Sequence, residues 1–87
     1  MVVILMRSYV LIEAVIGKAR AVAEALKRLP VVSEVHLITG PYDIIAVVGA
    51  GNYPDVQGVT SAIHATPGVA RTVTCLPVDM TNWAQSG

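Results

Sequence analysis

Charge is scarce in this chain. Six Lys and Arg and six Asp and Glu make up 14% of 87 residues, against about 25% in an average soluble domain. That is too little to cover a monomer's surface comfortably, while 54% of the residues are apolar. Short chains bury a smaller share of their surface than large domains and often gain stability by oligomerising. The apolar surplus therefore predicts a subunit interface. An excess of one charge sign is missing as well. The formal net charge is zero and no stripe of Lys and Arg occurs, which argues against DNA or RNA binding by phosphate neutralisation through this chain alone. Long hydrophobic runs are absent too. A membrane-spanning helix needs roughly 18 or more apolar residues, whereas the run Val2 to Met6 meets Arg7 and Ser8 at once. No basic segment precedes that run, so it makes a poor signal peptide. The only cysteine, Cys75, leaves no internal disulfide and fits a reducing cytoplasm.

The patterns that carry common chemistries are also absent. His36 and His64 are the only histidines, with no H-x-x-x-H spacing and no Cys/His pair, so no metal is expected and both read as structural or surface residues. Cys75 has no basic neighbour in sequence to lower its pKa, and reads as a small buried apolar residue rather than a nucleophile. Gly49-Ala50-Gly51 begins like a dinucleotide loop, but Pro54 stands where the third glycine belongs. Val56-Gln57-Gly58-Val59 echoes a phrase of the acylphosphatases, yet it falls inside a predicted helix and is followed by Ser61-Ala62 in place of the expected Phe-Arg. The Met-x-Cys-x-x-Cys loop of ferredoxin-like metallochaperones is missing. No catalytic residue and no cofactor is expected. No linker or low-complexity tract divides the chain, so residues 1–80 read as one domain and 81–87 as a tail, part of which Trp83 pins.

What is present is an ordered series of apolar segments. A first strand has its core at Ser8–Ala14 and Gly17 marks a turn. Lys18 to Leu29 has Ala19, Val22, Ala23, Leu26 and Leu29 at helical spacing. Glu24 and Arg28 are spaced as a surface pair, and Pro30 stops the helix. Val31–Thr39 and Asp43–Gly49 read as strands two and three. The run Ile44 to Val48 does not alternate with polar residues, the pattern of a strand covered on both faces. Asn52 suits an N-cap and Pro54 and Asp55 a first helical turn. The second helix runs to about Ala65, with Val56, Val59 and Ile63 on one face. Thr66-Pro67-Gly68 ends it and Val69–Val78 is the fourth strand. The order β-α-β-β-α-β is the ferredoxin-like plan, an α+β sandwich with a four-stranded antiparallel sheet. Right-handed crossovers put both helices on one face. Tyr9, Leu11, Ile45, Val47, Val73 and Cys75 form one alternating apolar set. The sequence leaves open whether this set or its complement faces away from the helices. Whichever does needs a cover, most simply a second subunit's sheet in a two-fold dimer.

The break between strands two and three, Thr39-Gly40-Pro41-Tyr42-Asp43, holds a ring, a hydroxyl, a carboxylate and flexible backbone together. One reading is purely structural: Gly-Pro makes the turn, Tyr42 packs on a neighbour and Asp43 caps backbone amides. The other is ligand capture, with Asp43 taking a ligand ammonium and backbone amides its carboxylate.

Tyr9-Val10-Leu11-Ile12, then Thr39-Gly40-Pro41-Tyr42-Asp43, then Thr66-Pro67-Gly68-Val69 with Thr72-Val73-Thr74 occur in an order and spacing that resemble the effector-binding half of the Lrp/AsnC regulators, the RAM domain. The likeness runs from about Met6 to Val78. It implies an amino-acid effector held between dimers that assemble into an octamer or similar ring. It also implies a site made by Gly40, Tyr42 and Asp43 of the hairpin, Tyr53 before the second helix, and Thr74, Cys75 and Leu76 of the fourth strand. Val73 in place of the commoner Arg, and Pro77 at the strand's end, depart from the family pattern. The chain resembles the stand-alone form, with only Met1 to Met6 before the first strand core. Such a form is expected to sense its ligand or to co-assemble with full-length Lrp/AsnC regulators, without contacting nucleic acid or membrane itself. The runner-up reading is a small dimeric ferredoxin-like enzyme of monooxygenase or isomerase type, for which only His36, Asp43, His64 and Arg71 offer chemistry. A third is a structural partner that binds no small molecule.

Overall fold

The computed structural model describes residues 6–50 and 55–77. They form β1 (Met6–Ala14), α1 (Ala19–Leu26), β2 (Val32–Leu37), β3 (Ile44–Ala50), α2 (Asp55–His64) and β4 (Val69–Cys75). This is the predicted order. The expected N-cap Asn52, Tyr53 and Pro54, Val78, and the tail 81–87 with Trp83 lie outside the described residues, as does any start of β1 before Met6.

The sheet is antiparallel throughout, with strand order β2-β3-β1-β4. Its central strands place alternate residues on opposite faces. Val10, Ile12 and Ala14 of β1 and Ile44, Ala46 and Val48 of β3 form one core with Val22, Ala23 and Leu26 of α1 and Val59 and Ile63 of α2. Both helices therefore cover one face, as in the ferredoxin-like plan. Ile12, Leu26, Ile44 and Ile63 are wholly inaccessible, and burying such a side chain contributes roughly 1.5–3 kcal/mol. α2 has an exposed Gly58 in its interior, which weakens its intrinsic propensity. It is held by Val59 and Ile63, one turn apart on the buried face.

Several boundaries differ from the sequence-based expectation. α1 ends at Leu26 rather than Leu29. Beyond it, Arg28 donates to the Ala25 carbonyl and Leu29 to that of Leu26, each at 3.1 Å. These are i to i−3 bonds, which tighten the last turn. Pro30 disfavours the helical conformation of the residue before it, so the chain leaves the helix early while Leu29 still packs on the core. Arg28 thus lies outside the helix, and the ion pairs among the described residues do not include one between it and Glu24. β2 and β4 are shorter than expected, and β4 stops at Cys75 with Leu76 and Pro77 beyond it.

The apolar set that faces away from the helices is Tyr9, Leu11, Ile45, Val47, Val73 and Cys75. Leu11 lies between Ile45 and Val73, and Tyr9 between Val47 and Cys75. The unbroken run in β3 follows directly: Ile44, Ala46 and Val48 serve the helix face, Ile45 and Val47 the open one. Cys75 corrects the sequence reading. It is exposed, because it projects from the open face and no described element of the chain covers it.

Candidate functional site

The turn between β2 and β3 is held by its last residue. The Asp43 amide donates to the Ile12 carbonyl at 2.9 Å, and the Asp43 carbonyl accepts from Ile38 at 2.8 Å. Oδ2 of its carboxylate accepts the Ala14 amide at 2.9 Å. Ala14 sits where β1 shifts register against β4 between Glu13 and Ala14, and Asp43 supplies an acceptor at that irregularity. Gly40 adopts φ +140°, a conformation that residues with a Cβ rarely take.

Tyr42 is half-buried and reaches across the end of β1. Arg71 Nη2 donates to the Tyr42 hydroxyl at 3.4 Å, and the guanidinium carbon lies 5.4 Å from the ring centroid. Arg71 Nε is 3.9 Å from Glu13 Oε1. The structural roles anticipated for the turn, amide capping by Asp43 and packing by Tyr42, are both present.

A concavity of about 630 Å³ opens beside this turn. One wall is Gly40, Pro41 and Asp43 and the other is the turn from β1 into α1, Val15-Ile16-Gly17, with Glu13 at the edge. The Val15 amide donates to the Gly68 carbonyl at 2.8 Å, which ties this second wall to the start of β4. Ile16 is 98% exposed, an unusual setting for a β-branched apolar side chain at the mouth of a cavity. No side chain caps the start of α1 at Lys18, so its first-turn amides have no side-chain acceptor and favour an anion. No basic side chain lines the cavity among the described residues. The second wall was not anticipated from sequence. The signal was there in Val15-Ile16, two apolar residues placed directly before the turn at Gly17.

The remaining expected site residues lie elsewhere. Thr74 is opposite Val10 and Cys75 opposite Tyr9. The Thr74 hydroxyl is 3.5 Å from that of Thr60 on α2, and Leu76 is 42% exposed past the strand end. From Ile12 beside Asp43 to Tyr9 beside Cys75 is three residues along β1, roughly 10 Å at about 3.4 Å per residue. Within one chain the hairpin and the end of β4 therefore do not converge, and Tyr53 lies outside the described residues. The residues weighed for an enzyme do not converge either. The His36 ring is 3.0 Å from Glu34, which is also 3.8 Å from Arg7, at the far edge of the open face. His64 is exposed in the last turn of α2. Among the described residues no group of three or more His, Cys, Asp or Glu could hold a metal ion, and no helix is long and apolar enough to cross a membrane.

Asp43→Ala is expected to destabilise the fold by about 1.5–3 kcal/mol, the usual worth of a hydrogen bond to a charged group, because it leaves the buried Ala14 amide without its acceptor. Asp43→Asn keeps an oxygen there and is expected to recover at least half of the loss in urea unfolding.

A sequence profile of the Lrp/AsnC ligand binding domain matches residues 7–80. An uncharacterised HTH-type transcriptional regulator of Pyrococcus abyssi is 38% identical over 61 residues, which are 69% of this chain and 41% of the relative. The chain thus spans less than half the length of that relative. A solved protein of Thermus thermophilus superposes with a TM-score of 0.78 at 36% identity, covering 84% of this chain and 92% of that one. A hypothetical protein of Pyrococcus horikoshii matches with a TM-score of 0.75 at 30% identity, covering 84% and 89%. AsnC of E. coli shares the fold at a TM-score of 0.77 and 20% identity, covering 85% of this chain and 51% of AsnC. With the profile spanning nearly all described residues and the ferredoxin-like sheet matching in these structures, the chain belongs to the Lrp/AsnC ligand-binding domain family.

Proposed function

We propose that this chain is an amino-acid-sensing module that works as an oligomer and regulates transcription indirectly. It pairs into dimers through the open sheet face and joins further dimers at the hairpin end. It acts by changing its own assembly or by co-assembling with full-length Lrp/AsnC regulators. The observation that carries this reading is the concavity at the hairpin end, in a domain whose family is defined by ligand binding. Its chemistry suits a zwitterion. The Asp43 carboxylate stands on one wall for an ammonium, and the uncapped start of α1 stands on the other for a carboxylate. A related regulator of Neisseria meningitidis, alike in fold at 14% identity, was solved as a complex with L-Met.

The separation of the two groups of expected residues supports an intersubunit site. Gly40, Tyr42 and Asp43 of one subunit would meet Thr74, Cys75, Leu76 and Tyr53 of another. The fully exposed Ile16 at the mouth of the concavity is then covered by that second subunit. Ligand would shift the balance between assemblies only by its differential affinity for them.

Calorimetric titration of the twenty amino acids, with the mass of the assembly followed in each, tests the proposal. Binding of at least one amino acid is expected, together with a change in mass or in mass distribution. No heat and no change of assembly with any of the twenty would sink the sensing role.

A further inference from the structure

We propose that Arg71 is a positioning residue of the hairpin site, fixing Tyr42, the neighbour of the lining residues Pro41 and Asp43, through the chain Glu13–Arg71–Tyr42. The inference rests on the reading of the concavity as an amino-acid pocket, and names a residue of the edge strand β4 that acts on it through Tyr42.

The need for such a residue follows from the topology. The hairpin turn belongs to β2 and β3, at one side of the sheet, while β4 is the edge strand on the other side of β1. Asp43 anchors the base of the turn to β1 through backbone and carboxylate bonds. These bonds do not fix the Tyr42 side chain, which stands between exposed Pro41 and half-buried Asp43. Arg71 alone reaches it among the described contacts, with a hydrogen bond of 3.4 Å and a guanidinium–ring distance of 5.4 Å. Arg71 is itself held by Glu13, directly across the β1–β4 ladder, with Nε 3.9 Å from the carboxylate. Glu13 also lines the concavity. The cluster therefore links Glu13, at the edge of the concavity, to Tyr42, which lies between the lining residues Pro41 and Asp43 without lining the concavity itself.

The chemistry is specific to arginine. A guanidinium presents Nε to one partner and Nη2 to another in fixed planar geometry, and its face lies over an aromatic ring. A lysine ammonium offers a point charge and cannot hold both partners in that arrangement. Each contact is exposed and individually weak, so the expected effect is on the order of a threefold to tenfold change in what the hairpin does, with the fold intact.

The test uses the full chain as wild type, Arg71→Ala, Arg71→Lys, Tyr42→Phe and Arg71→Ala/Tyr42→Ala with its Tyr42→Ala parent. Two quantities are read: hydrogen exchange of the Thr39, Gly40 and Tyr42 amides, and the affinity for L-leucine, L-methionine and L-lysine as probes. Arg71→Ala is expected to speed exchange at the turn and to weaken the tightest probe by roughly threefold to tenfold, while exchange at Val10 and Ala46 in the sheet centre stays unchanged. Lysine at 71 is expected to rescue less than half. Tyr42→Phe, which keeps the ring but loses the hydroxyl, is expected to fall between wild type and Arg71→Ala. The double variant is expected to be no worse than Tyr42→Ala, since the two residues act as one unit. Unchanged exchange at the turn in Arg71→Ala overturns the inference. So does faster exchange with unchanged probe affinity, or full rescue by lysine. If the wild type binds none of the twenty amino acids, the pocket reading falls, and the exchange measurements still decide whether Arg71 holds the turn.

Discussion

Gly68→Ala is expected to cost about 2–5 kcal/mol, which in a domain of this size lowers Tm by roughly 10 °C or more. Two penalties combine. Gly68 adopts φ +95°, and a Cβ there would lie 2.8 Å from Val22 Cγ2 and 3.2 Å from Lys18 Cβ. The left-handed backbone conformation disfavours any residue with a Cβ by about 1–2 kcal/mol, and forcing a methyl into a filled space costs about 1–3 kcal/mol more. Val22 is fully buried in the core, so it has no room to give. Gly17→Ala separates the terms. Gly17 also has positive φ, +83°, but nothing lies within 4 Å of its Cβ position, so only the backbone penalty applies. Thermal unfolding at matched protein concentration should rank wild type above Gly17→Ala and Gly17→Ala above Gly68→Ala. Equal losses in the two variants would show that the packing of Gly68 on α1 is not tight. The effect extends to the site, because the Gly68 carbonyl holds the Val15 amide and with it the second wall of the concavity. Ligand affinity is therefore expected to fall in Gly68→Ala by more than stability alone accounts for.

That wall shows where sequence reasoning stops. The hairpin was legible because Gly40-Pro41 breaks two apolar runs and because Asp43 is a residue type that caps amides. The order of elements followed from α1's helical stripe and the punctuation at Pro30 and Pro67-Gly68. Which sheet face meets the helices was not legible. Val10 and Ile12 alternate with Tyr9 and Leu11, and Ile44, Ala46 and Val48 with Ile45 and Val47, so both faces carry apolar side chains. Only the packing of Leu26 and Ile63 on the Ile12 and Ile44 side decides it. The exposure of Cys75 depends on that same choice, and so could not be read beforehand. The approach of Val15 to Gly68 joins residues remote in sequence through a turn whose only signatures are Gly17 and the apolar pair Val15-Ile16 before it. The separation of Asp43 from Thr74 to Leu76 depends on strand register, which no motif records. The resemblance to the family named both groups and implied an effector held between dimers, but the distance between the groups within one chain appears only with the register.

Leu11→Glu is expected to abolish association through the open sheet face. Leu11 stands at its centre, between Ile45 and Val73, with Tyr9, Val47 and Cys75 in the adjacent row. Polar and charged groups border this patch, Arg7, Glu34 and His36 on one side and Glu13 and Arg71 on the other. An apolar centre with a polar rim is the usual anatomy of a protein interface. A carboxylate introduced at the centre would be buried without a partner in the dimer, at a cost of about 3 kcal/mol or more, which is roughly a hundredfold in Kd. In the single chain the same side chain stays open to solvent, so the monomer's own packing is spared. Ser61→Glu on the exposed side of α2 adds the same charge away from the face and serves as control. Sedimentation should give an oligomer for wild type and Ser61→Glu, and the 9.1 kDa monomer with unchanged far-UV circular dichroism for Leu11→Glu. A Leu11→Glu protein that keeps its mass would place the interface elsewhere, and a monomeric wild type would remove it. The outcome also orders the assembly. The sheet face and the hairpin end are different surfaces, so if Leu11→Glu reduces the oligomer to pairs rather than to monomers, a second surface associates without the sheet-to-sheet contact.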